Sequence, residues 1–236
     1  MTFRKSSLMS KLSLSLFAAL LSVSVVASDF NDTQRLANQG DADAQFSLGY
    51  MYYHGEGVSQ DYQKAAEWYQ LAANQGDANA QLKLGYMYES SEGVRQDYQK
   101  AAELYELAAN QGDADAQYNL GNMYYGGEGV SQDYQKAAEL YQLAANQGHA
   151  YAKYNLGTMY YGGEGVRQDY QKALELYQLA ANQGDVDAQY NLGYMYDNGK
   201  GIRQNKASAK EWFGKACDNG DQSSCDAYEM LNEDGY

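Results

Sequence analysis

The sequence predicts an all-α fold, an α/α superhelical solenoid of five 36-residue helix-turn-helix repeats closed by terminal capping helices. Glycines recur at an unbroken interval of 36 residues, at Gly40, Gly76, Gly112, Gly148, Gly184 and Gly220, and the sequence between them nearly repeats itself. Each interval also holds two runs of apolar residues at helical spacing. A period of about 20 to 50 residues marks a stacked array, because one unit cannot bury its apolar face alone and must pack on its neighbours. Function is therefore expected in a surface and not in a catalytic pocket.

Residues 1–27 stand apart from the repeats. Arg4, Lys5 and Lys11 accompany an apolar run from Leu12 to Val26, and Val25 and Ala27 are the small residues that a signal peptidase reads. These features predict a secretory signal peptide cleaved after Ala27 and a periplasmic or secreted protein, with an uncleaved anchor as the alternative. The run is too short and too rich in serine for a membrane span, so no integral membrane segment is expected after cleavage. The mature chain keeps 14 Lys and Arg against 31 Asp and Glu, a net charge of about −17. Such a surface repels phosphate backbones and anionic headgroups, which excludes nucleic acid as a partner. Both cysteines, Cys217 and Cys225, follow the signal segment, meet an oxidising compartment and are expected to form a disulfide. The chain has no proline, so its loops are expected to be more mobile.

The repeat is numbered from the residue after each glycine, so that position 1 is Asp41, Asp77, Asp113, His149, Asp185 and Asp221. A first helix opens at this residue, an N-cap in every copy that has Asp, and runs through D-A-x-A-Q-x-x-L-G-x-M-Y. Ala44, Leu48, Met51 and Tyr52 form its apolar face. The glycine inside this helix (Gly49, Gly85, Gly121, Gly157, Gly193) costs about 1 kcal/mol against alanine. Close approach of the partner helix is the expected reason. A G-E-G-V turn follows, at Gly55 to Val58 and Gly127 to Val130. It lacks the Lys and Ser or Thr of a phosphate-cradling loop. The second helix begins after Asp61, Asp97, Asp133 or Asp169 and ends at an Asn-Gln-Gly terminator such as Asn74 to Gly76. Ala65, Tyr69 and Ala72 share its apolar side, so tyrosines at the Tyr69 position read as core residues and not as ligand contacts.

The string from Asp113 to Gly148, DADAQYNLGNMYYGGEGVSQDYQKAAELYQLAANQG, closely resembles the Sel-one-like repeat, a 36-residue relative of the tetratricopeptide repeat. The likeness covers residues 41–220 as five units, with residues 28–40 as an N-terminal and 221–236 as a C-terminal capping helix. Family members commonly carry Pro where this chain has Ser59, Arg95, Ser131, Arg167 and Arg203, a departure that bears on loop rigidity and not on the fold. Cys217 and Cys225, eight residues apart across a helix junction, are similar to the cysteine pairs of the Helicobacter cysteine-rich proteins. That resemblance implies a bridge between adjacent helices, fastening the C-terminal cap.

The resemblance also implies that first helices line the inner wall of the superhelix, where positions 3, 6, 10, 13 and 14 share the face opposite the packed one. The copies differ at these positions and agree on the other side, as expected for a constant stack carrying an individual binding surface. The candidate contacts are Tyr50 and Tyr53, then Tyr86 and Glu89, then Asp115, Tyr118 and Tyr125, and finally Tyr151, Tyr154, Tyr161, Tyr190 and Tyr194. Tyrosine offers large contact area at small entropic cost. In the alternative reading, position 6 packs against the neighbouring unit and the rest drift. His54 and His149 stand at non-equivalent sites and form no metal or catalytic pattern, and no cofactor is expected.

The leading expectation is an exported, non-enzymatic adaptor binding a protein or peptide in its concave groove. A β-lactam-binding or hydrolysing enzyme, as some cysteine-rich relatives are described, is the alternative, although no Ser stands three residues before a Lys. Cell-wall glycan binding through stacked tyrosines is a third reading.

Overall fold

The computed structural model describes residues 30–236. The predicted signal peptide at 1–27 lies outside the described residues, as do the first two residues of the N-terminal cap. Among the described residues there are twelve helices and no strand. An end helix α1 (30–38) precedes five pairs of first and second helices. These are α2 (Ala42–His54) with α3 (Tyr62–Asn74), α4 (Ala78–Ser90) with α5 (Tyr98–Asn110), and α6 (Ala114–Gly126) with α7 (Tyr134–Asn146). Then come α8 (Ala150–Gly162) with α9 (Tyr170–Ala181), α10 (Val186–Asn198) with α11 (Lys206–Asp218), and the closing helix α12 (Gln222–Glu233). The protein is thus an all-α repeat solenoid. It divides within α5 into two compact units, one ending at Leu104 and the other beginning at Tyr105.

Both ends of each helix are set by local chemistry. The Asp41, Asp77, Asp113 and Asp185 carboxylates each accept from the backbone N–H three residues on, at 2.7–2.8 Å. Second helices use Asp61, Asp97, Asp133, Asp169 and Asn205 in the same way, at 3.0–3.1 Å. Each cap satisfies an N–H that has no partner inside the helix. First helices close on a left-handed glycine, except that α4 closes on Ser91 (φ 64°), where the chain reads S-E-G-V. The turn is then locked by a glutamine, as where Gln132 Nε2 donates to the Tyr125 carbonyl at 2.9 Å. Its second glycine rests on the preceding repeat, since a Cβ on Gly165 would stand 2.2 Å from the Tyr134 carbonyl oxygen.

The glycine inside the first helix has a more specific reason than close helix axes. A Cβ on Gly121 would lie 2.7 Å from the Tyr141 ring, and one on Gly49 2.7 Å from Tyr69. Gly157 meets Tyr177 in the same way, and Gly193 meets Phe213. The second-helix aromatic ring lies directly on the bare backbone of the first helix. In the first unit, this packing joins Leu48, Tyr69, Leu84 and Met87 into one core. In the second, Tyr141 packs with Leu156 and Met159, Tyr177 with Leu192 and Met195, and Phe213 with Leu231 of the closing helix. Met51, with only the short α1 ahead of its repeat, is half-buried, whereas Met87, Met123, Met159 and Met195 are fully buried.

A buried amide at position 5 ties repeats together. Gln117 Nε2 donates to the Ala109 carbonyl at the end of the preceding helix, at 3.2 Å, while its Oε1 accepts from Gln147 at 2.8 Å. Gln45 repeats the arrangement with Ala37 and Gln75, at 3.2 and 2.7 Å. In the fourth repeat Lys153 takes this place, donating to the Gly148 carbonyl at 3.2 Å and to Gln183 Oε1 at 2.9 Å. A glutamine can donate and accept, whereas an ammonium only donates, so Gln183 presents its oxygen here.

Cys217 of α11 and Cys225 of α12 are joined by a disulfide, with their Cα atoms 4.7 Å apart. It fastens the closing helix beside the Phe213–Leu231 contact.

Two outcomes are expected. Gly121→Leu should lose about 2 kcal/mol by overpacking against Tyr141, read as a lower Tm by circular dichroism, and an unchanged Tm would refute the ring contact. Reducing the Cys217–Cys225 bridge should cost about 2.5 kcal/mol on the chain-entropy account of so short a loop. Urea melts with and without reductant, after intact-mass analysis has shown no free thiols in the oxidised protein, measure that difference.

Candidate functional site

Two equivalent clefts open on the first-helix face of the second unit. The first, of about 320 Å³, lies between α6 and α8, with Tyr125 and Tyr154 as walls. The second, of about 310 Å³, lies between α8 and α10, with Tyr161 and Tyr190 in the corresponding places. Tyr141 and Tyr177 form their floors: each residue is 2% exposed, its ring against the glycine, while the phenol end reaches the cleft. The core tyrosines, read from sequence as buried and uninvolved, therefore also supply polar atoms to this surface.

Hydrogen bonding in the floors is directional. Tyr141 donates to Asn122 Oδ1 at 2.7 Å, and Asn155 Nδ2 donates to the same oxygen at 3.2 Å. One repeat on, Thr158 donates to the Tyr154 carbonyl at 3.2 Å, so its oxygen accepts from the Tyr177 hydroxyl at 3.1 Å. Burial pushes the Tyr141 and Tyr177 phenols well above their usual range, which keeps them neutral donors. In the fifth repeat the ring against the glycine is Phe213, packed on Tyr190, and it carries no hydroxyl to satisfy.

The candidate residues fall into three groups. Tyr125, Tyr154, Tyr161, Tyr190 and Tyr194 line the clefts, with Tyr194 40% exposed. Tyr50, Tyr86, Asp115 and Tyr151 are exposed, Tyr151 most of all at 61%. The remainder, Tyr53, Glu89 and Tyr118, are half-buried. Tyr53 donates to Glu92 at 2.5 Å and Tyr125 to Glu164 at 2.7 Å, so these tyrosines also couple one repeat to the next. Hydrogen bonding to Glu164, helped by burial, pushes the Tyr125 phenol up to about 12. Tyr118 packs on Tyr141 of its own repeat, and Tyr154 and Tyr190 sit likewise on Tyr177 and Phe213. Position 6 is thus shared between packing and surface.

Sequence reasoning passed over Asn155 and Asn191, at position 7, and Glu128 in the turn, all of which line the clefts. The available signal was Asn at position 7 in the last three repeats, against Ser47 and Lys83 in the first two.

Charge is distributed unevenly over the second unit. Lys136 and Lys172 lie over the Tyr124 and Tyr160 rings, at 4.2 and 4.9 Å, and Lys153 is committed to the amide ladder. Carboxylates accompany the cleft side: Glu128 lines the first cleft, and Asp187 lies close enough to Tyr154 to raise its phenol, after burial. Among the described residues no three His, Cys, Asp or Glu side chains converge on a possible metal position, and no helix is long and apolar enough to cross a membrane.

His149 has a structural role that its isolation in sequence conceals. It replaces the capping Asp, and its Nδ1 accepts from the Ala152 N–H at 3.2 Å. Its Nε2 stands 3.3 Å from Asp115 Oδ1, and its ring stacks on Tyr118 at 4.5 Å. Burial holds the imidazole below its usual pKa, against the opposing pull of Asp115 and Asp113 and with a small push from Lys153.

A stack of helix pairs that holds its packing side constant and varies the outward residues of its first helices defines a helical repeat scaffold. The chain belongs to the Sel1 repeat family, whose profile, described as Sel1 repeat, matches residues 42–77, 78–113, 114–149, 150–185 and 186–221. No curated protein matches the chain. Among solved structures it is similar to a protective antigen present in uropathogenic Escherichia coli strains, described as displaying an SLR fold, at 39% identity and a TM-score of 0.80. That alignment covers 83% of this chain but 42% of the antigen. A Sel1 repeat protein from Oxalobacter formigenes aligns at 29% identity and a TM-score of 0.75, over 87% of this chain and 86% of that one. A Sel1 repeat protein from Klebsiella pneumoniae aligns at 28% identity and 0.52, over 85% and 98%.

Because Nδ1 must be unprotonated to accept, stability should depend on pH through His149. Its folded pKa lies below the unfolded value of about 6.5, so its contribution is complete above that value and is lost as pH falls through the folded one. His149→Asp should therefore gain stability relative to wild type at pH 5 compared with pH 7.5, read as the difference in urea midpoints. A pH-independent difference would contradict this role.

Proposed function

We propose that this protein is an exported, non-enzymatic scaffold that binds a protein or peptide partner along the outward face of its first helices. The observation that carries this reading is the repetition of the cleft. Two successive openings keep a frame of tyrosine walls, tyrosine floor and one asparagine, while the residues around the frame change. A frame repeated at the helix spacing suits a ligand that is itself a repeating chain, and tyrosine with asparagine combines contact area with adaptable hydrogen bonding. Tyr125, Tyr154, Tyr161, Tyr190 and Tyr194 are the proposed contacts, flanked by Asp115 and Tyr151. Tyr50 and Tyr86 offer a comparable surface in the first unit. The disulfide supports export, since such bonds persist in oxidising compartments. In this reading residues 1–27 form the signal peptide, 28–40 and 221–236 the caps, and 41–220 the repeats.

A photo-crosslinking amino acid distinguishes this face from the rest of the repeat. Placed at Tyr194, it should capture a defined partner in exporting cells; placed at Leu143 of α7, which is 50% exposed, it should not. Equal capture from both positions, or capture from Leu143 alone, overturns the assignment.

A further inference from the structure

We propose that the two clefts select different side chains of one extended peptide: the cleft between α6 and α8 takes Lys or Arg, and the cleft between α8 and α10 takes a large apolar or aromatic residue. The proposal rests on the peptide-binding reading above and adds what is bound.

They share Tyr125 and Tyr161, Tyr154 and Tyr190, and Asn155 and Asn191, at equivalent positions of successive repeats. A side-chain amide carries a donor and an acceptor, as a peptide group does. In the first cleft Asn155 Nδ2 is spent on Asn122, which leaves its oxygen to accept a peptide N–H. Asn122 has both acceptor sites of its oxygen occupied, by Tyr141 and Asn155, which leaves its own NH₂ to donate. The shared frame thus suits what every peptide has.

The differing residues suit particular side chains. Glu128 lines the first cleft, and Tyr125, one of its walls, holds a second carboxylate, Glu164, at 2.7 Å. Tyrosine faces beside carboxylates attract a cation both electrostatically and through the ring. The lysines nearest in sequence, Lys136 and Lys153, are committed elsewhere, to Tyr124 and to the amide ladder. The second cleft has no carboxylate in its lining. Tyr194 occupies its far side, with the buried Met195 behind it, so that aromatic faces dominate the pocket over the Tyr177 floor. Asn122 and Asn155 show that α6 and α8 touch, and axes of packed helices stand about 8–10 Å apart, which an extended chain covers in about three residues. The expected pattern is therefore basic and apolar residues about three apart.

A random-peptide phage library panned against the oxidised, folded protein tests this directly. Wild type should enrich Lys or Arg spaced from Phe, Tyr, Leu or Met. Glu128→Lys, an exposed change, should remove the basic preference and keep the apolar one; Tyr194→Ser should do the reverse. A synthetic peptide of the selected sequence should bind Glu128→Lys about fivefold more weakly than wild type, the factor an exposed ion pair of this kind is worth. If wild type and Glu128→Lys select the same residues, the assignment of side chains fails while peptide binding stands. If wild type, folded by circular dichroism, enriches no sequence, both fail.

Discussion

The structure depends on an aromatic ring laid against a helix that has no side chain where the ring sits. Tyr141 over Gly121 is the pattern, repeated by Tyr69, Tyr177 and Phe213 over their own glycines. The ring brings large apolar area into the core, and its hydroxyl must find a partner because it is drawn away from bulk water. In the third and fourth repeats that partner is the position-10 side chain, Asn122 or Thr158. One residue therefore both closes the helix pair and sets the polarity of the outward surface. Phe213, which has no hydroxyl, asks nothing of position 10 in its repeat.

Stacking between repeats is governed separately, by the position-5 amide. It bonds both to the end of the helix before it and to the terminator of its own repeat, so each junction is specified by hydrogen bonds as well as by apolar contact. The fourth repeat shows how the junction accommodates change. There D-A-D-A-Q becomes H-A-Y-A-K: His149 caps through a ring nitrogen, Lys153 replaces a two-way amide with donors, and Tyr151 projects at the surface. The substitutions are physically linked, since the Lys153 ammonium disfavours a charged His149, and a neutral His149 is the form that can cap.

Much of the fold was legible because its causes are local. An Asp before an apolar run caps a helix and a glycine ends one, and these marks recur at the same places, with His149, Asn205 and Ser91 as the exceptions. Cys217 and Cys225 were assigned to each other from their likeness to other cysteine pairs, and the Cα separation of 4.7 Å agrees. The site was less legible. Tyr53 and Tyr125 resemble the surface tyrosines in spacing, yet they bond to Glu92 and Glu164 some 39 residues away in the chain. Asn155 and Glu128 gave no sign of sharing a cleft, because one lies inside a helix and the other in the turn of the preceding repeat.

From the sequence by itself follow the helix pairs, their period, their caps and the division between a constant and a variable face, since each arises from interactions within a few residues of chain. Tertiary structure decided which tyrosines are walls, floors or inter-repeat ties, why the helix glycines are bare, and where the acidic cleft gives way to the aromatic one. Those outcomes depend on side chains from α6, α7 and α8 meeting at a single point, and the spacing of one helix carries no information about atoms that approach from another.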